Sequence, residues 1–359
     1  MIPIPDARRE EWAAVVVNPD GSTLPLPLDA DQPGTITWQQ DQQSPVGAHL
    51  TCHGTPPELR HGQTVHVTYR CNGETWHLPP LIPVIDKPVY DGAGRWFGLD
   101  LIDQTITFAA DGIDFAAVFD AATPIISTVR GVLNASDPAI PVQLPDLDFT
   151  LRNPLDFPLS TAPLTIANTL LDIAGATPLA PGPDDGALRS DVWVAPSARP
   201  VRMRFGPHML RPDDTWEPGA GYLPRIDAEN DYLAAPNVGH FVASGSSSAD
   251  QLIGRWRDDD PFSPWGVPQR GRRILAAGSG DAASQEIADD KARRLVMEAR
   301  GRGRTATIRG AWQPVWPGHV IATDHPDFPD LSARWEVVGV RVSMGLGSDT
   351  EWTLREVTG

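Results

Sequence analysis

Three sets of residues in this sequence have types that can do chemistry. The first is "RWRDDDPFSPWGVPQRG", residues 255–271, where Asp258, Asp259 and Asp260 stand side by side before a Pro-broken aromatic stretch. Clustered carboxylates can hold Mg²⁺ or Ca²⁺, but those ions need six or more oxygens closing on one point. Adjacent residues of an extended chain face opposite ways, and the spaced D-x-D-x-D-G pattern of a calcium loop is absent. The expectation is a solvated connecting strap. The second set is Cys52, His53, His61, His66, Cys71 and His77. A structural zinc site wants Cys or His pairs two to four residues apart that converge, whereas alternation puts His66 and Cys71 on opposite faces of one strand. Cys52 falls on an apolar face with Ala48 and Leu50, where cysteine acts as a small hydrophobe. The third is the basic run "EARGRGRTATIRG", with Arg300, Arg302, Arg304 and Arg309. It follows a helix whose carbonyl end favours cations, so helix capping or pairing with an acidic neighbouring subunit is expected ahead of nucleic-acid contact.

Motifs for nucleophilic or cofactor chemistry are missing. There is no G-x-S-x-G, no P-loop, and no G-x-G-x-x-G between a strand and a helix. "DGAGRW" has two glycines at the wrong spacing and reads as a turn. The expectation is a protein that is not an enzyme, with no catalytic, cofactor-binding or metal residue and no cofactor. The paired carboxylates of a glycoside hydrolase stand about 5–10 Å apart in space, a separation that sequence does not encode. A carbohydrate-binding or cell-wall-hydrolysing protein therefore stands as the alternative, motivated by twelve Trp and the acidic balance.

The chain has 359 residues and a formal charge of −17, with an isoelectric point near 4.8. A reader of duplex DNA needs the opposite sign, so sequence-specific nucleic-acid binding is disfavoured; an acidic wall past which DNA must slide is not. No apolar run approaches the ~20 residues of a membrane span, and "MIPIPDARREEW" lacks the basic and apolar segments of a signal peptide. Two cysteines make no disulfide framework; a single Cys52–Cys71 bridge stays open. The 37 Pro and 32 Gly are scattered, which favours many short strands with rigid connections.

Such strands are readable. "WAAVVVNPDGSTLPLPL" is a hairpin turning at Pro19-Asp20-Gly21. "GTITWQQD" alternates, and "VHVTYRCNGETWHL" is a second hairpin around Asn72-Gly73 that puts Val65, Val67, Tyr69 and Cys71 on one face. The texture then changes. "TPIISTVRGVLNAS" is a helix capped by Thr123 with Pro124 in first place, and "STAPLTIANTLLDIAGA" repeats that design with Pro163 early and Gly175 as the stop. "SDVWVAP" and "HFVASGS" are strand candidates. "DAASQEIADDKARRLVMEARG" is the strongest helix, its stripe made of Ile287, Ala288, Ala292, Leu295, Val296 and Ala299, with Asp289–Arg293 and Asp290–Arg294 pairs. Closing strands follow, where Val338, Val340 and Val342 alternate. "PELRHGQTVHVTY" and "QPVWPGHVIATDH" echo one another: each sets Gly before a valine-bearing strand, and a Trp-bearing strand follows both. The expected class is α+β and β-rich, with domains at 1–110, 111–235 and 236–359.

The order of these segments resembles the tail-hub (baseplate-hub) minor tail proteins of long-tailed actinobacteriophages. Four stretches carry the likeness: "GRWFGLDLIDQTITFAA" leading into "TPIISTVRGVLNAS"; "LTIANTLLDIAGATPLAPGPDDGALRSDVWVAPSARPVRMRF"; "DDDPFSPWGVPQRGRRI"; and the helix-plus-strands ending from "QEIADDKARRL" to "EWTLREV". The resemblance implies two tail-tube-like β barrels, in 1–110 and 236–359, with a small α+β domain inserted between them. It implies a homotrimer whose six barrels match a hexameric tail tube, placed at the virion tail tip and lining the DNA channel. Its implied partners are a distal tail or tail-tube protein, tail-tip or fibre proteins, and a tape-measure protein. It supplies no site residues.

Overall fold

The computed structural model describes residues 10–39, 46–60, 62–71, 74–91, 94–110, 112–113, 116–182, 188–190, 201–202, 235–244, 251–301, 305–310, 315–323, 333–345 and 350–357. Alternating apolar residues near both ends of the chain form strands, and punctuated helices occupy the middle. The first run is β1 (Glu10–Val17), β2 (Thr23–Leu26), β3 (Gly34–Gln39), β4 (Val46–His53), β5 (Thr64–Cys71), β6 (Glu74–His77), β7 (Leu81–Asp91) and β8 (Gly94–Asp103). Then come α1 (Thr105–Ala110), β9 (Ala117–Phe119), α2 (Ile125–Ser136), β10 (Val142–Gln143), β11 (Leu155–Phe157), α3 (Pro163–Ile173), β12 (Ala180–Pro181), β13 (Leu188–Arg189) and β14 (Val201–Arg202). The last run is β15 (Val238–Ala243), β16 (Leu252–Arg257), α4 (Val267–Arg270), β17 (Leu275–Gly280), α5 (Gln285–Gly301), β18 (Thr305–Gly310), β19 (Val320–Thr323), β20 (Ala333–Ser343) and β21 (Thr350–Glu356). The protein is a β-rich α+β chain.

Strands from both ends share one thirteen-stranded sheet, in the order β14-β19-β20-β3-β4-β8-β7-β5-β1-β2, with β6 on β5 and β18 joined through β21. The join is β3 against β20, antiparallel, with Trp38 opposite Val340. The apolar faces of the two ends form a single core, in which Val65, Val67, Tyr69, Phe97, Leu99, Trp335 and Trp352 are fully buried. Burying each such side chain contributes about 1.5–3 kcal/mol. Asp103 ties β8 to β4: its carboxylate accepts the N–H of Val46 (2.8 Å) and the N–H of Thr105 (2.8 Å), which opens α1. The hairpin of β1 and β2 forms as expected, Asp20 accepting the Ser22 N–H at the turn. The echoed segments are the hairpins β5–β6 and β19–β20. Asn72-Gly73, between β5 and β6, lies outside the described residues, as do residues 191–196 of "SDVWVAP".

Two further cores lie beside this sheet. α2 and α3 bury Ile125, Val129, Leu133, Ile166, Leu170 and Leu171 against one another and Phe108. Pro163 occupies the first turn of α3, and Gly175 follows the helix with φ +75°, a conformation that glycine takes without strain. Both expected side-chain caps are displaced. Pro124, not Thr123, is the N-cap of α2, and Ala162 is that of α3, neither with a side-chain hydrogen bond. The Thr123 and Thr161 hydroxyls instead donate to the carbonyls of Asp120 and Pro158, closing the preceding turns. The third core is α5 on the small sheet β16-β15-β17.

The expected stripe on α5 is largely inward: Ile287, Ala288, Ala292 and Val296 are buried. Asp290 pairs with Arg294 at 2.6 Å, while Asp289 accepts the backbone N–H of Arg255 (2.9 Å) and the Gln285 amide (3.0 Å). The Val338-Val340-Val342 alternation needs correction. A bulge between Val337 and Gly339 shifts the register, so Trp335 and Val337 point inward before it and Val340 and Val342 after it.

Candidate functional site

The acidic strap leaves β16 and returns through α4 to β17. Its three carboxylates separate. Asp258 turns inward, with 7% of its side chain accessible, and meets Arg300 of α5 at 2.7 Å, itself 2% accessible. Asp259 reaches back to Arg257 at 2.6 Å, and Asp260 accepts the Phe262 N–H at 2.8 Å, closing its own turn. The expectation of a wholly solvated strap is therefore wrong for Asp258. Burial pushes the Arg300 guanidinium below its usual range, against the pull of the Asp258 carboxylate upward. Arg300 also donates to the Pro236 carbonyl at 2.7 Å and lies over the Trp256 ring. It is an internal tie from the last turn of α5.

Asn237 completes the anchor. Its amide donates to the carbonyls of Trp265 (3.1 Å) and Arg272 (2.9 Å), and its oxygen accepts the Ile274 N–H (2.7 Å). Ser263 donates to Asp258 at 2.7 Å. The strap is thus fixed from within, while Phe262 at its tip is 90% exposed. Sequence reasoning missed Arg300 and Asn237 as partners of the strap, and nothing in local spacing marks a partner 42 residues away.

Among the described residues, no three His, Cys, Asp or Glu side chains gather closely enough to hold a metal ion. His53 pairs with Asp29 at 3.1 Å, His66 contacts the Thr64 hydroxyl at 3.1 Å, and His61 lies outside the described residues. Burial, reinforced by His77, holds the His66 imidazole below its ordinary pKa. Cys52 is a free, fully buried thiol that burial pushes up to about 12. It is therefore expected to resist a maleimide in native protein at pH 7.5 and to react once unfolded, as read by mass of its peptide. Modification of the native protein at Cys52 would contradict that burial. Of the basic run, Arg309 makes a two-point contact with Glu351 across β18 and β21 (2.8 and 2.9 Å); Arg302 and Arg304 lie outside the described residues.

α5 is clamped to the middle of the chain. Lys291, 7% accessible, donates to Asp172 of α3 (2.7 Å) and to the Asp281 carbonyl (2.9 Å). Arg294 donates to the Gly175 carbonyl at 2.8 Å. The nine described Trp residues are all buried or half-buried. That is the placement of core anchors.

No protein-family model and no curated protein matches this sequence. Solved structures do match its fold along nearly its whole length. A tail protein from Neisseria meningitidis MC58 superposes with TM-score 0.63 at 16% identity, covering 97% of this chain and 96% of that one. The 43 kDa tail protein of prophage MuSo2 from Shewanella oneidensis gives 0.62 at 13%, covering 96% and 98%. Prophage tail protein gp18 from Listeria monocytogenes EGD-e gives 0.58 at 13%, covering 96% and 94%. The chain thus has the fold of these tail proteins.

Proposed function

We propose that this chain is a structural virion protein, a tail hub that assembles as a homotrimer at the tail tip and lines the DNA channel. The observation that carries the reading is the end-to-end match with three separate tail proteins, each covered over at least 94% of its length. The segment order of the sequence supports the hub among tail components. On this reading β1–β8 and the strands after α5 supply two tube-like barrels per subunit, with residues 111–235 as the insert. A trimer then offers six barrels to a hexameric tube. The excess of carboxylates suits a wall that repels passing DNA. Its neighbours are a distal tail or tail-tube protein on one side and tail-tip or fibre proteins on the other, with a tape-measure protein in the channel. The role is architectural, without catalysis.

Sedimentation equilibrium of the purified protein tests this reading. The expected species is a particle of three 38.8 kDa chains. A monomer that releases soluble fragments from host cell walls would overturn it in favour of the carbohydrate-active alternative.

A further inference from the structure

The small sheet β16-β15-β17 has α5 on one face only. Gly239, Phe241, Gly254 and Gly278 point toward the helix, as the close approach of Ala288, Ala292 and Leu295 to the three glycines fixes. By alternation, the other face presents Val238, His240 and Val242 from β15, Ile253, Arg255 and Arg257 from β16, and Leu275 from β17. Among the described residues nothing covers that face: Val242 is 36%, Ile253 42% and Leu275 54% exposed, and His240, Arg255 and Arg257 are exposed too. The three strands contain no Asp or Glu. An apolar centre with arginine beside it is the composition of an interface core.

The charge of the chain says what such a face fits. Residues 1–235 carry 30 Asp and Glu against 14 Lys and Arg, whereas residues 236–359 carry 16 against 15. Nearly all of the −17 therefore sits in the first two thirds. Copies of so acidic a chain repel one another at long range, and that repulsion is weakest at a face whose strands hold no Asp or Glu and carry the exposed Arg255 beside an apolar centre. We infer that the open face of β16-β15-β17 docks on the acidic first two thirds of a second copy of this chain. Two different surfaces then meet head to tail, the arrangement that closes into a ring when the rotation allows it. This rests on the trimeric reading above and names the surface that builds it. Nucleic acid fits the face less well: its centre is apolar, and Arg257 is already paired with Asp259.

The test compares wild type, the double variant Ile253→Asp/Arg255→Glu, and Leu275→Asp by sedimentation across concentration, with melting curves alongside. All three side chains are exposed, so each variant should still unfold cooperatively, its melting temperature lowered only as far as the weakened trimer accounts for. The expected result is a trimer for wild type and, for both variants, a dissociation midpoint raised by about tenfold or more. Folded variants that remain trimers as tight as wild type would overturn the docking surface and leave the hub reading standing. A wild type that stays monomeric at every concentration would overturn the hub reading itself. Variants that stay trimeric but lose retention of duplex DNA in a mobility assay would overturn the second copy in favour of nucleic acid.

Discussion

Replacing Gly254 with Ala is expected to destabilise the β16-β15-β17 unit by about 3 kcal/mol or more, at the upper end of overpacking costs. A Cβ at Gly254 would lie 1.9 Å from the Ala288 carbonyl oxygen, and one at Gly239 would lie 2.1 Å from that of Ala292. These obstacles are helix backbone, which cannot swing aside as a side chain would, so α5 must lift from the sheet. The lift would also strain the Lys291–Asp172 and Arg294–Gly175 ties to α3. Denaturant unfolding followed by Trp fluorescence reads the loss. Gly131→Ala is the counter-case: Gly131 is exposed in α2 with nothing within 4 Å of an added Cβ. It should gain about 0.8–1 kcal/mol from helix propensity. A Gly254→Ala protein as stable as wild type would contradict the close approach of α5.

Asp258→Ala should cost about 3–5 kcal/mol, because it leaves the buried Arg300 guanidinium without its counter-charge. The strap would lose its inner anchor, since the Ser263 hydroxyl and the Asp260 N–H also donate to the Asp258 carboxylate. Asp258→Ala/Arg300→Met removes both charges and should be more stable than Asp258→Ala alone. Asp259→Ala, at an exposed pair, should change stability by less than about 1 kcal/mol. The same denaturant titration compares all of these. Equal effects of Asp258→Ala and Asp259→Ala would contradict the division of labour within the strap.

The elements most legible in the sequence were those whose signals are local. Pro163 and Gly175 bracket α3, and the stripe of α5 shows its buried face, because helix spacing and turn chemistry are written in neighbouring residues. Boundaries slipped by a residue at Thr123, whose hydroxyl serves the preceding turn instead of the helix. "VVGV" in β20 fits two registers of period two, and only the partner strand β21 selects the one with the bulge. "LAAGSG" lacks the β-branched residues of a strand, yet it forms β17 because the approach of α5 at Gly278 demands small residues. The Arg300–Asp258 tie was not legible at all. It joins residues 42 apart, and a charge beside a Gly-Arg run reads locally as solvated.

On the proposed function, three copies of this chain close around a channel. Negative-stain images of the purified wild-type protein test it most directly. End-on class averages with three-fold symmetry and a central hole are expected. Averages of single, solid particles at concentrations where sedimentation is complete would contradict it.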